Sequence, residues 1–527
     1  MLLIAGRALL PNIGVSDPVW YHLAYAQDWV LAKRLVVDPY MVFPFYANNF
    51  LLLIAALIEL KAAIYVNFLI WSTGLLSALG VYATIAMRHP ERSAEGAPLK
   101  DGLWKHAIAL LAAFSLMLTT TFLDHSVQAY IDVPIGTTAL LSITAIVLGL
   151  RTRETGWLIA AAVIGGFLVG MKGSFAALVP LYIAGLVWAC LSLKLTRRNA
   201  IVVVAAFCIA GAPWYARNLV LAGDPVPPVL NLALYHDDGL IPQNEWDQLE
   251  ADLSTSHSPR ALVTLPVRAY WDPASQDFRE YGVTFAIVLL YIPTLVWLLA
   301  LALRKPLPNE IAIPILFLTG FIVYWIGTST LLRYADLFYP LLAVCLGMLL
   351  IEATARWPRA LPAAVAIAFL AALPSPGDDW LIEGFIHDDF LNDVHSLTHN
   401  YDQQTYLAKN ESGYREEQVL SDWMRDRGYG GNVYVIGTQL DYYFRRDGVI
   451  SNGDYTGPAG FFRLLKAIDE GRAAEFLDDL NTHAVMMTPM NLIDAGVQRL
   501  LAEQLEKGGY REIPAPDKSY RLFVRTG

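Results

Sequence analysis

Charge is scarce in this chain. Of its 527 residues only 16% are Asp, Glu, Lys or Arg, against about 25% in soluble domains, and an ordinary globular protein is thereby excluded. Cysteine is scarcer still. Cys190, Cys208 and Cys345 all lie inside apolar runs, so neither a disulfide framework nor a cysteine metal site can be drawn, and the three read as packing residues. No G-x-G-x-x-G or P-loop pattern follows a strand-like run, and Gly430-Gly431 reads as a turn. Internal repeats and low-complexity segments are missing too. Met1 to Asn12 has one charge, Arg7, with no basic leader and no small-residue cleavage site. That speaks against a signal peptide and for a first membrane helix shortened at its start, the true start lying at Met1 or upstream of it.

What the chain has in abundance is apolar length. It is 55% hydrophobic, with a mean hydropathy of +0.42. Runs of membrane length recur at roughly 1–12, 64–87, 104–121, 131–150, 157–171, 174–193, 199–213, 282–303, 310–328, 335–352 and 358–374. This predicts a polytopic α-helical membrane protein of about eleven spans. The run 48–60 is short for a span and reads as re-entrant or interfacial. Arg88, Arg92, Lys100, Lys105, Arg151, Arg153, Lys194, Arg197, Arg198, Arg304, Lys305, Arg356 and Arg359 fall in alternate connections, which the positive-inside rule places in the cytoplasm. Loop 13–47 (provided that 48–60 does not cross), loop 214–280, residues 122–130 and 329–334, and everything after 373 are then expected on the external, periplasmic side of a bacterial inner membrane.

The net charge of −10 is unevenly spread. Residues 1–373 hold 23 acidic and 23 basic residues, whereas 374–527 hold 25 and 15. The division predicts a membrane domain, 1–373, followed by a soluble domain, 374–527, kept in solution by its charge. Its acidity argues against nucleic acid as a partner. Its pattern is α/β: strands at 433–437 and 484–488, helices at 458–468, 472–480 and 492–507, and a hairpin over 510–524.

Five polar motifs interrupt the membrane domain on the expected external side. Ser16-Asp17-Pro18-Val19-Trp20-Tyr21-His22 places a carboxylate at a membrane boundary, and a helix cap and a reactive group are both open readings. Tyr130-Ile131-Asp132-Val133-Pro134 opens a span, so Asp132 is either a dipole-stabilised first-turn residue or functional. Gly170-Met171-Lys172-Gly173 offers a cation between two glycines, as a snorkelling lysine or a phosphate ligand. Pro213-Trp214-Tyr215-Ala216-Arg217-Asn218 and Leu332-Arg333-Tyr334-Ala335-Asp336 supply arginines, each either an interfacial anchor or a bidentate phosphate ligand. Asp336 reads as an ion-pair partner of Arg333. His125, His236, His257 and His387 do not fall at metal-ligand spacing. His236-Asp237-Asp238 and His387-Asp388-Asp389 are weak divalent-cation candidates, more simply read as solvated clusters.

Taken in order, these motifs resemble those of bacterial C-type (GT-C) glycosyltransferases, the relatives of the protein O-mannosyltransferases and the lipid A aminoarabinose transferase. The resembling stretches are Asp17-x3-Tyr21-His22-Leu23, Ala129 to Pro134, Gly166 to Lys172, Pro213 to Asn218 with Gly223 to Pro228, Arg333-Tyr334, and in the tail Val433 to Gly437 with Tyr442-Tyr443. The resemblance implies a GT-C-like fold and a glycosyltransferase, a hexosyl- or pentosyltransferase that moves sugar from a polyprenyl-phosphate donor, with inversion. The acceptor would be an envelope glycan, lipid or protein, with membrane lipid alongside. Asp17 would be the base and Asp132 would orient the acceptor. Tyr21, His22, Lys172, Arg217, Asn218, Arg333 and Tyr334 would hold donor phosphate and sugar. The first loop lacks an acidic pair, so no cofactor is assigned, and a divalent cation stays possible.

Other classes make different demands. A transporter or flippase for lipid-linked sugar asks for inverted repeats and mid-membrane charge, a polymerase or ligase for a large external loop rich in Arg and His. A non-catalytic scaffold would tolerate Asp17→Asn.

Overall fold

The computed structural model describes residues 6–11, 17–37, 45, 48–87, 103–226, 259–272, 283–328, 332–376, 402–429, 431–452, 460–488 and 495–526. A π-helical turn, Pro18–His22, leads into α1 (Leu23–Ala32). There follow α2 (Asn49–Glu59), α3 (Val66–Ala86), α4 (Leu103–Met117), α5 (Thr120–His125), α6 (Asp132–Thr152), α7 (Thr155–Val169), α8 (Val179–Ser192) and α9 (Arg197–Ala222). The body continues with α10 (Pro259–Trp271), α11 (Ile292–Ala302), α12 (Asn309–Thr328), α13 (Tyr339–Arg356) and α14 (Leu361–Ala371).

Among the described residues, seven helices are long and apolar enough to cross a membrane: Ala63–Ala86, Asp132–Thr152, Gly173–Ser192, Arg197–Ala222, Phe285–Ala302, Asn309–Gly327 and Tyr339–Arg356. Four shorter apolar helices, α2, α4, α7 and α14, complete a polytopic helical body. Burial sorts the spans. α6 and α13 have 72% of their apolar window inside the protein, whereas Arg197–Ala222 and Phe285–Ala302 have 22%. The first two are therefore the hub, and the other two turn most of their apolar surface outward, as lipid-facing helices do.

Of the expected span 1–12 only residues 6–11 are described, and they hold a three-residue 3-10 turn, Arg7–Leu9; the short run 48–60 forms an apolar helix, Asn49–Glu59. One sequence expectation needs correction. The run 199–213 does not end at Pro213. α9 continues through that proline to Ala222 and stops where Gly223, at φ +70°, turns the chain and returns its N–H to the Leu219 carbonyl. Proline is tolerated inside membrane helices because neighbouring groups make good the lost bond, and a left-handed glycine is the usual terminator. Trp214, Arg217 and Asn218 consequently sit on a helix rather than in a loop.

The C-terminal part is a five-stranded mixed sheet with helices on both faces. Its elements are α15 (Gln403–Asn410), α16 (Tyr414–Asp426), β1 (Asn432–Ile436), α17 (Asp441–Arg446), β2 (Ile450–Asn452), α18 (Phe461–Asp469), α19 (Ala473–Asp479), β3 (Thr482–Met487), α20 (Ala495–Lys507), β4 (Tyr510–Ile513) and β5 (Arg521–Arg525). The strand order is β2-β1-β3-β5-β4, parallel from β2 to β3 and antiparallel from β3 to β4. Alternate side chains point to opposite faces. Tyr434, Ile436, Val485, Met487 and Phe523 pack with residues of α18, α19 and α20. Val433, Val435, Ala484, Met486, Leu522 and Val524 join the core that includes α16, α17 and the membrane body. The expected strands, hairpin and three helices are present with small shifts of boundary. β2 and α17, of 3 and 6 residues, are too short for periodicity to reveal.

Candidate active site

Asp17 precedes the π-helical turn, yet its side chain makes no capping bond. The carboxylate instead accepts from the Tyr21 hydroxyl at 2.5 Å and from Arg333 Nη1 at 3.0 Å. Tyr21 comes round one wide turn later, the kind of local irregularity that often marks functional sites. Arg333 arrives from the 3-10 turn Leu332–Leu337, 316 residues away in sequence. The plain-cap reading of Asp17 fails on this geometry.

A second carboxylate–cation pair stands beside the first. Asp132 opens α6, and its Oδ1 lies 3.9 Å from Lys172 Nζ. Lys172 is the extended residue between α7 and the turn Gly173–Leu178. Its ammonium also sits 3.8 Å from the centre of the Tyr334 ring, while the Arg333 guanidinium lies 5.2 Å from the same ring. A cation over a ring face gains from the ring quadrupole, more so when partly desolvated. His22 is 1% exposed and its ring lies 4.4 Å from that of Tyr21. Its Nδ1 is buried with no hydrogen-bond partner among the described residues. Seven of the nine expected site residues (Asp17, Tyr21, His22, Asp132, Lys172, Arg333 and Tyr334) thus converge on one cluster.

The electrostatics of the cluster follow from burial and pairing. Burial works to raise the Asp17 carboxyl, but Arg333, seconded by His22, the Tyr21 hydroxyl and Lys172, outweighs it and holds the group below its ordinary 3.8. Burial pushes the His22 imidazole down to about 4 against the pull of Asp17 and Asp132, so it is neutral at pH 7. Burial would weaken the Arg333 guanidinium, and Asp17 reverses that and raises its pKa.

Arg217 and Asn218 belong to a neighbouring group. Arg217 donates to Asn218 Oδ1 through Nε at 3.1 Å and Nη2 at 2.8 Å, and its guanidinium lies 4.6 Å from the Trp214 ring centre. The Asn218 amide donates to the Phe45 carbonyl at 2.7 Å. Trp214 Nε1 donates to Asn49 Oδ1 at 2.7 Å, and the Asn49 backbone N–H donates to the Gly170 carbonyl at 2.8 Å. The two groups are therefore joined through Asn49 and Gly170, the latter close before Lys172 in the chain. None of the sequence motifs includes Asn49, although a polar pair, Asn48-Asn49, opening an apolar run is a signal that could have found it.

Asp336 does not pair with Arg333 as expected. It shares a hydrogen bond of 2.9 Å with His125, both side chains 2% exposed, and His125 packs on Tyr130 with ring centres 4.4 Å apart. Burial raises Asp336 to about 6, the His125 contact opposing. Arg333 is oriented towards Asp17, which leaves His125 as the cationic or donor partner that the buried Asp336 needs. His125 is unremarkable in sequence because its role depends on a residue 211 positions away.

Among the described residues no three His, Cys, Asp or Glu side chains are grouped so as to hold a metal ion. Both His-Asp-Asp clusters, 236–238 and 387–389, lie outside the described residues. In the cluster itself positive charge comes from Arg333 and Lys172.

No protein-family model matches the sequence, and no curated protein matches it. Solved structures do. ArnT from Cupriavidus metallidurans in the apo state superposes with a TM-score of 0.55 at 12% identity, over 100% of this chain and 96% of that one. ArnT from the same organism bound to undecaprenyl phosphate gives a TM-score of 0.53 at 12% identity with the same coverage. An identity this low speaks to architecture alone, and that architecture extends over both the helical body and the C-terminal sheet: the chain is a polytopic helical membrane protein with the fold of these ArnT structures.

Proposed function

We propose that this protein is an inverting glycosyltransferase that moves a sugar from a polyprenyl-phosphate donor to an envelope acceptor at the external face of the inner membrane. The observation that carries the reading is the pairing of two carboxylates with two cations, Asp17 with Arg333 and Asp132 with Lys172, in one cluster. That ArnT binds undecaprenyl phosphate within the same fold supports the choice of donor class. The division at residue 373/374 and the external placement of the C-terminal domain belong to this proposal and rest on charge distribution.

The chemistry assigns each group a task. An acceptor hydroxyl attacks the anomeric carbon, the bond from that carbon to the phosphate oxygen breaks, and the electron pair leaves with the lipid phosphate. In this reading Arg333 and Lys172 stabilise that developing charge, and Asp17 takes the acceptor proton. Asp132 orients the acceptor, neutral His22 and Tyr21 offer hydrogen bonds to sugar or phosphate, and Arg217 with Asn218 extends the polar surface towards the donor. A carboxylate held low by an arginine is a weak base. When the donor phosphate engages Arg333, that hold weakens, burial dominates, and the Asp17 carboxyl rises into a range where it accepts a proton more readily. Donor binding thereby arms the base.

The test is transfer of radiolabel from a polyprenyl-phosphate sugar to envelope extract by the purified protein. Asp17→Asn should lose about 10²–10⁴-fold in kcat, the usual contribution of general-base catalysis. Equal transfer by wild type and variant would sink the assignment of Asp17.

A further inference from the structure

The C-terminal sheet is tied to the membrane body through a buried arginine. Arg445, on α17, is 1% exposed and ranks among the largest fully buried side chains of the protein. Its Nε donates to both carboxylate oxygens of Asp28, at 2.9 and 3.0 Å. Its Nη1 donates to Asp441 Oδ1 at 3.3 Å and to Ser451 Oγ at 2.8 Å. Ser451 lies in β2 and its hydroxyl donates in turn to Asp441. Two carboxylates from different parts of the chain, Asp441 buried and Asp28 mostly so, thus share one guanidinium. A fork of fixed geometry is what such sharing requires. Asp28 stands on α1, the helix that continues directly from the turn carrying Tyr21 and His22. α17 packs against both that turn and α1. The next residue along α1, Trp29, stacks on Trp214 with ring centres 5.5 Å apart, and Trp214 leads through Asn49 to the Gly170 carbonyl. α1 is therefore held at three places: by Asp17 contacts at its start, by the C-terminal domain at Asp28, and by α9 at Trp29.

We infer that the C-terminal domain is a positioning element of the active site, with Arg445 and Asp28 as positioning residues. The domain clamps α1 so that Tyr21 meets the Asp17 carboxylate in register with Arg333. This inference rests on the glycosyltransferase reading for its catalytic consequence but not for its structural one. A neutral side chain at 445 would remove the guanidinium that the Asp28 and Asp441 carboxylates share, and losing one partner of a desolvated charge pair is costly. The clamp would open and α1 would shift while its membrane-side anchor at Trp29 stayed in place.

Two readouts on the full-length protein in nanodiscs separate the possibilities. The first is amide hydrogen exchange. In Arg445→Met and in Asp28→Asn, segment 17–32 should exchange faster while β1 and β3 keep wild-type protection. The second is kinetic. Both variants should lose roughly tenfold or more in kcat, since small misplacements of reacting groups are costly, with donor KM within about twofold of wild type. Arg445→Lys, which keeps the charge but not the fork, should recover part of the loss. Unchanged exchange in 17–32 in both variants overturns the inference, and so does faster exchange with wild-type kcat. If Arg445→Met fails to fold, Asp28→Asn, a near-isosteric change on the membrane side, decides between these outcomes. A wild-type protein without transferase activity defeats the functional reading alone, and the exchange experiment still shows whether the clamp exists.

Discussion

Asp17 and Arg333 are 316 positions apart in the chain and 3.0 Å apart in space, and the chemistry of the cluster turns on that contact. Arg333 depresses the Asp17 carboxyl and Asp17 raises the Arg333 guanidinium, so neither can be altered alone. Arg333→Gln removes the cation that opposes burial. The Asp17 pKa then rises, its base form is lost at a higher pH, and the acid limb of kcat/KM, which reports the free enzyme, moves upward in pH. A limb that stays put or moves down would show that Asp17 is not the titrating base. Arg333→Lys keeps most of the coulombic hold and should leave the limb near its wild-type position, with kcat lowered because a point charge replaces a planar fork. The identities of Asp17, Asp132, Lys172 and Arg333 are legible in the sequence because charged residues at span ends are rare and conspicuous. Their pairing is not. Proximity in the chain suggests Arg333 as the partner of Asp336, wrongly, because nothing local distinguishes one distant aspartate from another.

The elements decide whether those side chains can meet. α6 begins at Asp132 and one turn later meets the segment that carries Arg333 and Tyr334. At Gly136 a Cβ would stand 2.0 Å from the Asp336 carbonyl oxygen, so helix and turn touch backbone to backbone, and only the absence of a side chain permits it. Gly136→Ala should push the Leu332–Leu337 turn away from α6. The expected result is a loss of transfer of about tenfold or more, from the displacement of Arg333, together with a lowered Tm. A variant with wild-type rate and Tm would mean that the turn accommodates the methyl group and that the close approach carries no weight. The helical pattern itself is readable, since membrane spans announce themselves by apolar length. The end of α9 is not. Pro213 reads as a stop in soluble proteins, whereas the surrounding helices here carry the chain on to Gly223, and Arg217 and Asn218 move onto a helix face as a result.

On the scale of the molecule the C-terminal domain has its own balance of charge, apart from the clamp at Arg445. Glu417 on α16 is fully buried. Burial raises its carboxyl from an ordinary 4.5 to about 7, with Asp447 adding and the bonds from Gln418 and Ser421 opposing. A folded-state pKa above the unfolded one means that the protonated form is favoured by folding. The stability tied to this group is complete below about pH 4.5 and drains away as pH rises through about 7. Glu417→Gln should remove that loss and stabilise the domain at pH 8 by on the order of 3 kcal/mol, measured by denaturation of the full-length protein at pH 5 and pH 8. A wild-type protein whose stability does not fall over this range, or a variant with the same pH dependence, would contradict the argument. By itself the sequence determined the material of the protein: a chain this poor in charge and this rich in long apolar runs satisfies its backbone bonds in helices within a membrane, and the short apolar runs after Gly431, with the alternating end at 510–524, read as strands of a sheet. The polar residues that interrupt those runs were equally visible. Only the tertiary structure decided which of them face one another, because hydropathy and periodicity are local quantities. The contacts that make a site here, Asp17 to Arg333, Asp336 to His125 and Asp28 to Arg445, join residues hundreds of positions apart.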